Sequence, residues 1–183
     1  SFTYSGEISG IPPACAPNII GRSFTIPAHV EIPEGRAEGM TVTEGGRFGG
    51  YGLYLTTGEL DVGKGKVVFL YNLMGLKRSL WVGPELETGP HTIVFNLEYN
   101  GPGFGQGATG TLRVDDKIVD TQTLEHTEPV MFPEDETFDV GMDTRTPVAL
   151  IEHRYDCPFK FTGKINRVTF TLGPSQFEAA PKP

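Results

Sequence analysis

The chain has 183 residues, of which 38% are hydrophobic, and it carries a formal net charge of −8 at pH 7. An acidic chain with no basic run lacks the positive surface that nucleic acids and anionic membranes require, so we expect neither as a partner. No apolar run in the sequence is long enough to cross a bilayer. The length suits one domain, and 24 glycines and 15 prolines without an amphipathic helical pattern indicate short strands joined by tight turns.

Residues 1–22 contain Pro12, Pro13 and Pro17 among small residues. This composition predicts an extended leader or linker and not a packed strand. The chain starts with Ser1 and not with methionine, so we expect a processed product or a piece of a longer polypeptide.

Residues 23–32 alternate apolar and polar side chains, as a half-buried strand does, and Pro27 predicts that this strand lies at a sheet edge. Roughly ten to twelve such strands predict an all-β, two-sheet antiparallel β-sandwich with jelly-roll connections, in preference to a closed barrel. We assign the sandwich to residues 23–173 and a C-terminal tail to residues 174–183. The other predicted strands include Met40–Val42, Tyr51–Leu55, Val67–Tyr71, Leu80–Val82, His91–Tyr99, Leu112–Val114, Lys117–Val119 and Gly163–Leu172, with a two-residue hairpin loop at Asp115-Asp116.

A dense group of polar residues follows the predicted strand at Phe138–Val140. Asp139, Asp143 and Arg145 lie there with several threonines, which hydrophobic burial does not require, so the group is a candidate ligand-binding site. The alternative is that these aspartate and threonine side chains only cap a turn. With Glu136, the two aspartates are also a weaker candidate for a calcium site, although the spacing of a helix-flanked calcium loop is missing.

Two further candidate contacts come from the predicted strands and turns. Arg47 and Phe48 lie between pairs of glycines, which predicts a bulge or a close approach of two backbones. Trp81 is out of phase with Leu80 and Val82, so it is predicted to point outward, where it would offer a flat surface to a sugar or a partner. The alternative for the aromatic residues as a group is that they form the core.

Glu59 and Asp61 are spaced like the first two carboxylates of a retaining β-sandwich glycosidase, where alternate strand positions face one cleft. The acid/base should follow at position 63 or 64, but Gly63 and Lys64 stand there. Without a second catalytic carboxylate, a double displacement cannot run. An exposed turn between strands is the alternative interpretation.

Several segments, taken in order, resemble the C-terminal region of large bacterial arylsulfatases. Nearly the whole chain is covered, which makes the resemblance fairly specific. It implies a concanavalin A-like β-sandwich. The segments that carry it are Arg22–Ile26, Val30–Pro33, Glu44–Tyr51, Tyr71–Leu76, His91–Ile93, Glu136–Val148 and Pro158–Ile165.

The resemblance covers the part of a sulfatase that has no catalytic residues. Cys15-Ala16-Pro17-Asn18-Ile19 matches only the first part of the sulfatase Cys-x-Pro-x-Arg motif, and a β-rich region follows it, so we do not assign Cys15 as a nucleophile. The divalent metal of a sulfatase is expected only in the missing catalytic domain, and we expect no cofactor in this chain. From the residues alone, Cys15 and Cys157 can form one disulfide or stay free thiols.

Three functions remain open at this point. The leading hypothesis is a non-catalytic accessory domain of an arylsulfatase-like hydrolase, whose partners would be the catalytic domain in the same polypeptide and other copies in a homo-oligomer. In that case Arg47 or Arg145 suits a sulfate group, because guanidinium donates two parallel hydrogen bonds. The alternative for Arg47 is an ion pair with a carboxylate at a strand end. The alternative is a free-standing lectin-like carbohydrate-binding module, and the third is a glycosidase built on Glu59 and Asp61.

Overall fold

The computed structural model describes residues 1–58 and 63–177. Within this part of the chain there are twelve strands and one short 3₁₀ turn, Pro13–Cys15. The strands are β1 (Phe2–Tyr4), β2 (Ile8–Ile11), β3 (Phe24–Ile32), β4 (Gly39–Gly46), β5 (Gly49–Thr57), β6 (Lys64–Leu73), β7 (Lys77–Glu85), β8 (Gly89–Tyr99), β9 (Ala108–Val114), β10 (Lys117–Leu124), β11 (Phe138–Val140) and β12 (Lys164–Leu172).

The strands form two six-stranded sheets, which confirms the predicted two-sheet antiparallel β-sandwich. Sheet A has the order β1-β12-β3-β8-β9-β10, and sheet B has the order β2-β11-β4-β5-β6-β7. All strand pairs within the sheets are antiparallel. No helix in the described ranges is long and apolar enough to span a membrane.

The main core lies between the two sheets. Strand β8 buries Ile93, Phe95, Leu97 and Tyr99, as its alternation predicts. The hairpin between β9 and β10 is also confirmed, because Asp115 and Asp116 both have positive φ (49° and 67°), as expected for a two-residue loop between antiparallel strands.

The edge position predicted from Pro27 is wrong, because β3 lies inside sheet A between β12 and β8. Pro27 lacks the backbone N–H that a ladder uses on one side. The pairing with β12 is interrupted beside this proline: Ala28 pairs with Val168, and the next pair is Thr25 with Thr171. The proline is therefore accommodated where the ladder to β12 is interrupted, while its pairing with β8 continues through Val94.

The structure also corrects the prediction of an unpacked leader at residues 1–22. Strand β1 pairs with β12 in sheet A, and β2 pairs with β11 in sheet B, so this segment contributes an edge strand to each sheet. Ile19 and Ile20 are buried in the main core. The prolines do not prevent this, because β1 and β2 precede them and they fall in the connection that follows.

Sheet B is covered on both faces. One face meets the main core, and a second cluster covers the other, where residues 141–163 cross the sheet. Backbone hydrogen bonds hold this crossing segment, with Gly141 N donating to Thr41 O (2.8 Å) and Met40 N donating to Phe159 O (3.4 Å). The second cluster contains Met40, Tyr54, Val68, Leu70, Val148, Ala149, Tyr155 and Phe159.

Candidate functional site

Asp139 is the centre of the polar group predicted as a site. It is 1% exposed, and its carboxylate accepts hydrogen bonds from Gly10 N (2.6 Å), Thr137 Oγ1 (3.1 Å) and Thr144 Oγ1 (2.9 Å). The bond from Gly10 ties strand β2 to strand β11. These contacts favour the alternative interpretation, in which aspartate and threonine side chains stabilise a turn.

Asp143 follows strand β11 in the chain and is 2% exposed. Tyr155 Oη donates a hydrogen bond of 2.5 Å to its carboxylate. Burial raises the pKa of Asp143 to about 6, and the bond from Tyr155 opposes that shift. Burial, together with the neighbouring Asp143, raises the pKa of the Cys157 thiol, so this cysteine is a poor nucleophile.

The weaker calcium hypothesis finds no support in the arrangement of these carboxylates. Thr146 Oγ1 donates to Glu136, and Arg145 Nη1 donates to the Asp135 carbonyl at 2.8 Å. No group of three or more His, Cys, Asp or Glu side chains suited to a metal ion occurs within residues 1–58 and 63–177.

The two cysteines do not form a disulfide. Cys15 and Cys157 are both free thiols in the structure.

Replacing Asp139 with alanine is expected to lower the free energy of unfolding by roughly 2–4 kcal/mol, because three donors lose a largely buried charged acceptor. Urea denaturation followed by circular dichroism measures this change. The matched control is Asp156→Ala, since that side chain is 81% exposed, and it should change stability by less than about 0.5 kcal/mol. Equal effects of the two substitutions would contradict a structural role for Asp139.

Arg47 and Phe48 form the exposed tip of the β4–β5 hairpin. The glycine pairs on either side face each other across this hairpin, Gly45 with Gly50 and Gly46 with Gly49, which confirms the predicted close approach of two backbones. Phe48 is 67% exposed, and the Arg47 guanidinium lies 5.5 Å from the centre of its ring. The two residues are accessible to a partner, and their role in binding stays a prediction.

Trp81 does not point outward, and the prediction of its orientation is wrong. It is fully buried between the sheets, with its ring 5.0 Å from Phe95 and 5.7 Å from Phe69, and its Nε1 donates to Gly110 O at 2.9 Å. Leu80 and Val82 instead pack against the second cluster, on the outer face of sheet B. Trp81 is therefore a core residue and offers no surface to a ligand.

Glu59 and Asp61, the carboxylates of the glycosidase hypothesis, lie outside the described residues. The same holds for residues 178–183 of the predicted tail. The four preceding tail residues include Phe177, whose ring stacks on Phe104 at 4.6 Å, and Gln176, whose carbonyl accepts a bond from Gly103 N (2.8 Å).

The candidate site that sequence reasoning missed is a pocket of about 380 Å³ at one end of the sandwich. One wall comes from residues 12–20, after strand β2, and the opposite wall comes from residues 130–134, before strand β11. Apolar side chains form most of the lining, with Ile20 and Phe132 buried and Val130 and Met131 exposed at 66% and 47%. An apolar pocket with a few convergent polar groups is the usual form of a small-molecule site.

Three polar side chains line this pocket. Glu44, in strand β4, is 5% exposed, and Asn18 and Glu134 are exposed. Asn18 Oδ1 accepts a bond from Ile20 N at 3.1 Å, which leaves its amide NH₂ as the group that can donate to a ligand. The carboxyl group of Glu44 has one hydrogen-bond partner among the described residues, the Tyr51 hydroxyl, which donates to Oε2 at 3.5 Å.

Burial raises the pKa of Glu44 to about 8, against a smaller opposing effect from the Tyr51 hydroxyl. Among the described pocket-lining residues no lysine, arginine or histidine offsets the loss of hydration, so the carboxyl group is mostly neutral at pH 7. A neutral carboxylic acid can donate one hydrogen bond and accept others. The sequence held one signal for it: Glu44 follows Met40 and Val42 at alternate positions, where an apolar residue is expected.

Comparison with known structures identifies similar folds at low sequence identity. The chain is similar to the CBM40 domain of the Ruminococcus gnavus IT-sialidase, with 16% identity and a TM-score of 0.54 over 92% of this chain and 90% of that one. That domain bound to alpha2,3 sialyllactose gives a TM-score of 0.55 at 16% identity, over the same shares of the two chains. Domains LG4-5 of the mouse laminin alpha1 chain give 0.58 at 11% identity, covering 92% of this chain and 39% of that one.

These TM-scores, at such low sequence identity, show a shared fold alone, the jelly-roll type of β-sandwich. No protein-family model matches the sequence, and no curated protein sequence matches it.

Proposed function

We propose that this chain is a non-catalytic, lectin-like carbohydrate-binding module, and that the end pocket holds the sugar. The observation that carries the proposal is the pocket itself, with mostly apolar walls and the carboxyl group of Glu44 at its floor. The fold likeness to a sialidase module whose structure is recorded with sialyllactose supports the same class of function. A shared fold alone does not determine function, so the pocket chemistry is the main support.

The lining suits the two kinds of surface that a sugar presents. A pyranose ring has an apolar C–H face, which can pack on side chains such as Met131 and Val130, and a rim of hydroxyl groups, which require hydrogen bonds. Asn18 can donate to a hydroxyl oxygen, and Glu134 can accept from a hydroxyl group. The volume of about 380 Å³ lies within the usual range for small-molecule pockets.

A glycan array is the direct test, carried out with the whole chain carrying a fluorescent label. We expect binding that falls roughly tenfold, about 1.4 kcal/mol, in the variant Val130→Asp, because the substitution replaces part of the apolar wall with a charge. Ile118→Asp is the matched control, since Ile118 is similarly exposed at 59% on strand β10, away from the pocket lining. No binding to any glycan, or equal loss in both variants, would overturn the proposal.

Calorimetry, and not tryptophan fluorescence, should confirm each array hit. Trp81 is the single tryptophan, and it is buried between the sheets, so a ligand at the end pocket is not expected to change its surroundings.

A second candidate function is the accessory domain of an arylsulfatase-like hydrolase, which the sequence resemblance implies. Three exposed apolar side chains favour it: Phe48, Met74 and Leu76, at 67%, 43% and 82% exposure, on the tips of the β4–β5 and β6–β7 hairpins. The two tips are neighbours, because Asn72 and Arg78 both donate to the Arg47 carbonyl. Exposed apolar groups of this kind suit contact with another domain. An antibody against this domain should then detect a native product several times heavier than 19.9 kDa, and a band near that mass would contradict it.

A further inference from the structure

The end pocket is lined by acidic side chains and, within the described residues, by no basic ones. The two acidic residues are Glu44 at the floor and Glu134 at the rim. A sulfate or sialic acid group that entered would lose hydration without gaining a cationic partner, and would face the charge of Glu134. The lining therefore disfavours anionic sugars.

We propose that the pocket selects uncharged sugars over sulfated, sialylated or uronic-acid sugars, with the neutral carboxylic acid of Glu44 donating a hydrogen bond to a sugar oxygen. This inference rests on the proposed carbohydrate-binding function and names its ligand class. It also separates this chain from the sialidase module to which its fold is similar, because that module is recorded with sialyllactose, which carries a carboxylate.

The position of Glu44 supplies the geometric argument. Glu44 is only 5% exposed, yet it still lines the pocket. Among the residues that the structure describes, the one partner of its carboxyl group is the Tyr51 hydroxyl, which lies at the outer limit for a hydrogen bond, 3.5 Å from Oε2. The hydroxyl of Tyr51 donates to Oε2, so the acid proton of Glu44 is not used in that bond, and a ligand oxygen in the pocket can accept it.

Other ionisable groups pack near Glu44 from neighbouring elements. Tyr4 approaches from strand β1 and Tyr51 from strand β5, and burial raises the pKa of both phenols above their ordinary value, so they stay neutral when Glu44 ionises. Tyr71 on strand β6 is paired with Tyr51 and is also neutral, because burial raises the pKa of its phenol. Glu134, at the exposed rim, is the other carboxylate among the described pocket-lining residues.

The test measures binding of the whole labelled chain to two sets of immobilised oligosaccharides. One set is uncharged (N-acetyllactosamine, cellobiose and maltose), and the other contains the sialylated and sulfated forms of N-acetyllactosamine. We expect signal from uncharged sugars and weaker signal from the charged forms. Between about pH 7 and about pH 9, binding by the wild-type chain should weaken roughly tenfold, because the fraction of molecules with a neutral Glu44 falls by that factor.

Two variants separate the role of Glu44 from a general effect of pH. Glu44→Gln keeps a neutral donor at the floor, so binding should persist and lose its dependence on pH. Glu134→Gln makes the same chemical change at the exposed rim, and the dependence on pH should remain.

The outcomes distinguish the two proposals. Binding that favours the charged glycans, or a pH dependence that survives in Glu44→Gln, would overturn this inference and leave the carbohydrate-binding function standing. Absence of binding to all glycans at both pH values would remove the carbohydrate-binding function, and this inference with it.

Discussion

Replacing Trp81 with alanine is expected to lower the free energy of unfolding by about 3–5 kcal/mol, the range for removing a large aromatic side chain from a packed core. The ring is fully buried against Phe69 and Phe95, and its Nε1 donates to Gly110 O. The substitution therefore leaves a cavity, and it also removes the indole donor from the buried Gly110 carbonyl. Urea denaturation at constant pH measures the change, with the slope of the transition showing whether unfolding stays cooperative.

Phe48→Ala is the control, because Phe48 is the aromatic side chain at an exposed hairpin tip, and it should change stability by less than about 0.5 kcal/mol. A second variant, Gly110→Ala, examines the same contact from the other side: a Cβ there would lie 2.5 Å from Trp81 Cζ2, so we expect destabilisation again. If Trp81→Ala behaved like Phe48→Ala, the tryptophan would have to lie at the surface, as the alternation first predicted.

Glu44→Gln is expected to stabilise the chain by several kcal/mol at about pH 9, and by much less at acid pH. The ordinary pKa of a glutamate is 4.5, and burial raises that of Glu44 to about 8, a difference equivalent to roughly 5 kcal/mol. Between these values the unfolded chain loses the proton while the folded chain keeps it, so wild-type stability falls as pH rises. Above the folded pKa the difference between variant and wild type should level off.

The measurement is the unfolding free energy of both proteins at a series of pH values. Burial also raises the pKa of Asp143, so the unfolding free energy of both proteins changes with pH for that reason as well. The variant is therefore compared with wild type at each pH, which removes this shared contribution. Glu134→Gln, at the exposed rim, should give a difference that stays nearly flat. A flat difference for Glu44→Gln as well would mean that water reaches the Glu44 carboxyl group in the folded state.

The strands that bury only one face were predictable from their alternation. Strand β8 is the clearest case, since Ile93, Phe95 and Leu97 meet the core and their neighbours do not. Strand β7 shows where this reasoning fails: Leu80 and Val82 pack under residues 141–163 while Trp81 enters the main core, so both faces carry apolar side chains. Alternation cannot tell which face is which when a distant segment covers the second one.

The candidate site depended even more on tertiary structure. The polar turn around Asp139 looked like a site because its partner, Gly10, lies 129 positions away and no local pattern could reveal that bond. The pocket likewise forms between residues 12–20 and residues 130–134, which are adjacent only after folding. Glu44 was visible as an acidic residue at an apolar position, but its burial, and hence its neutral state, follows from the packing around it.

The covering of sheet B by residues 141–163 should also shape which mutations this chain tolerates. In a strand with one wet face, every second position accepts polar residues; β3 is of this kind, with buried and less buried positions in alternation. In β5, the eight positions from Gly49 to Thr56 are all buried. A scan of all single substitutions should therefore show tolerance with a period of two residues along β3 and almost none along β5, so that β5 changes more slowly than β3 as related sequences diverge.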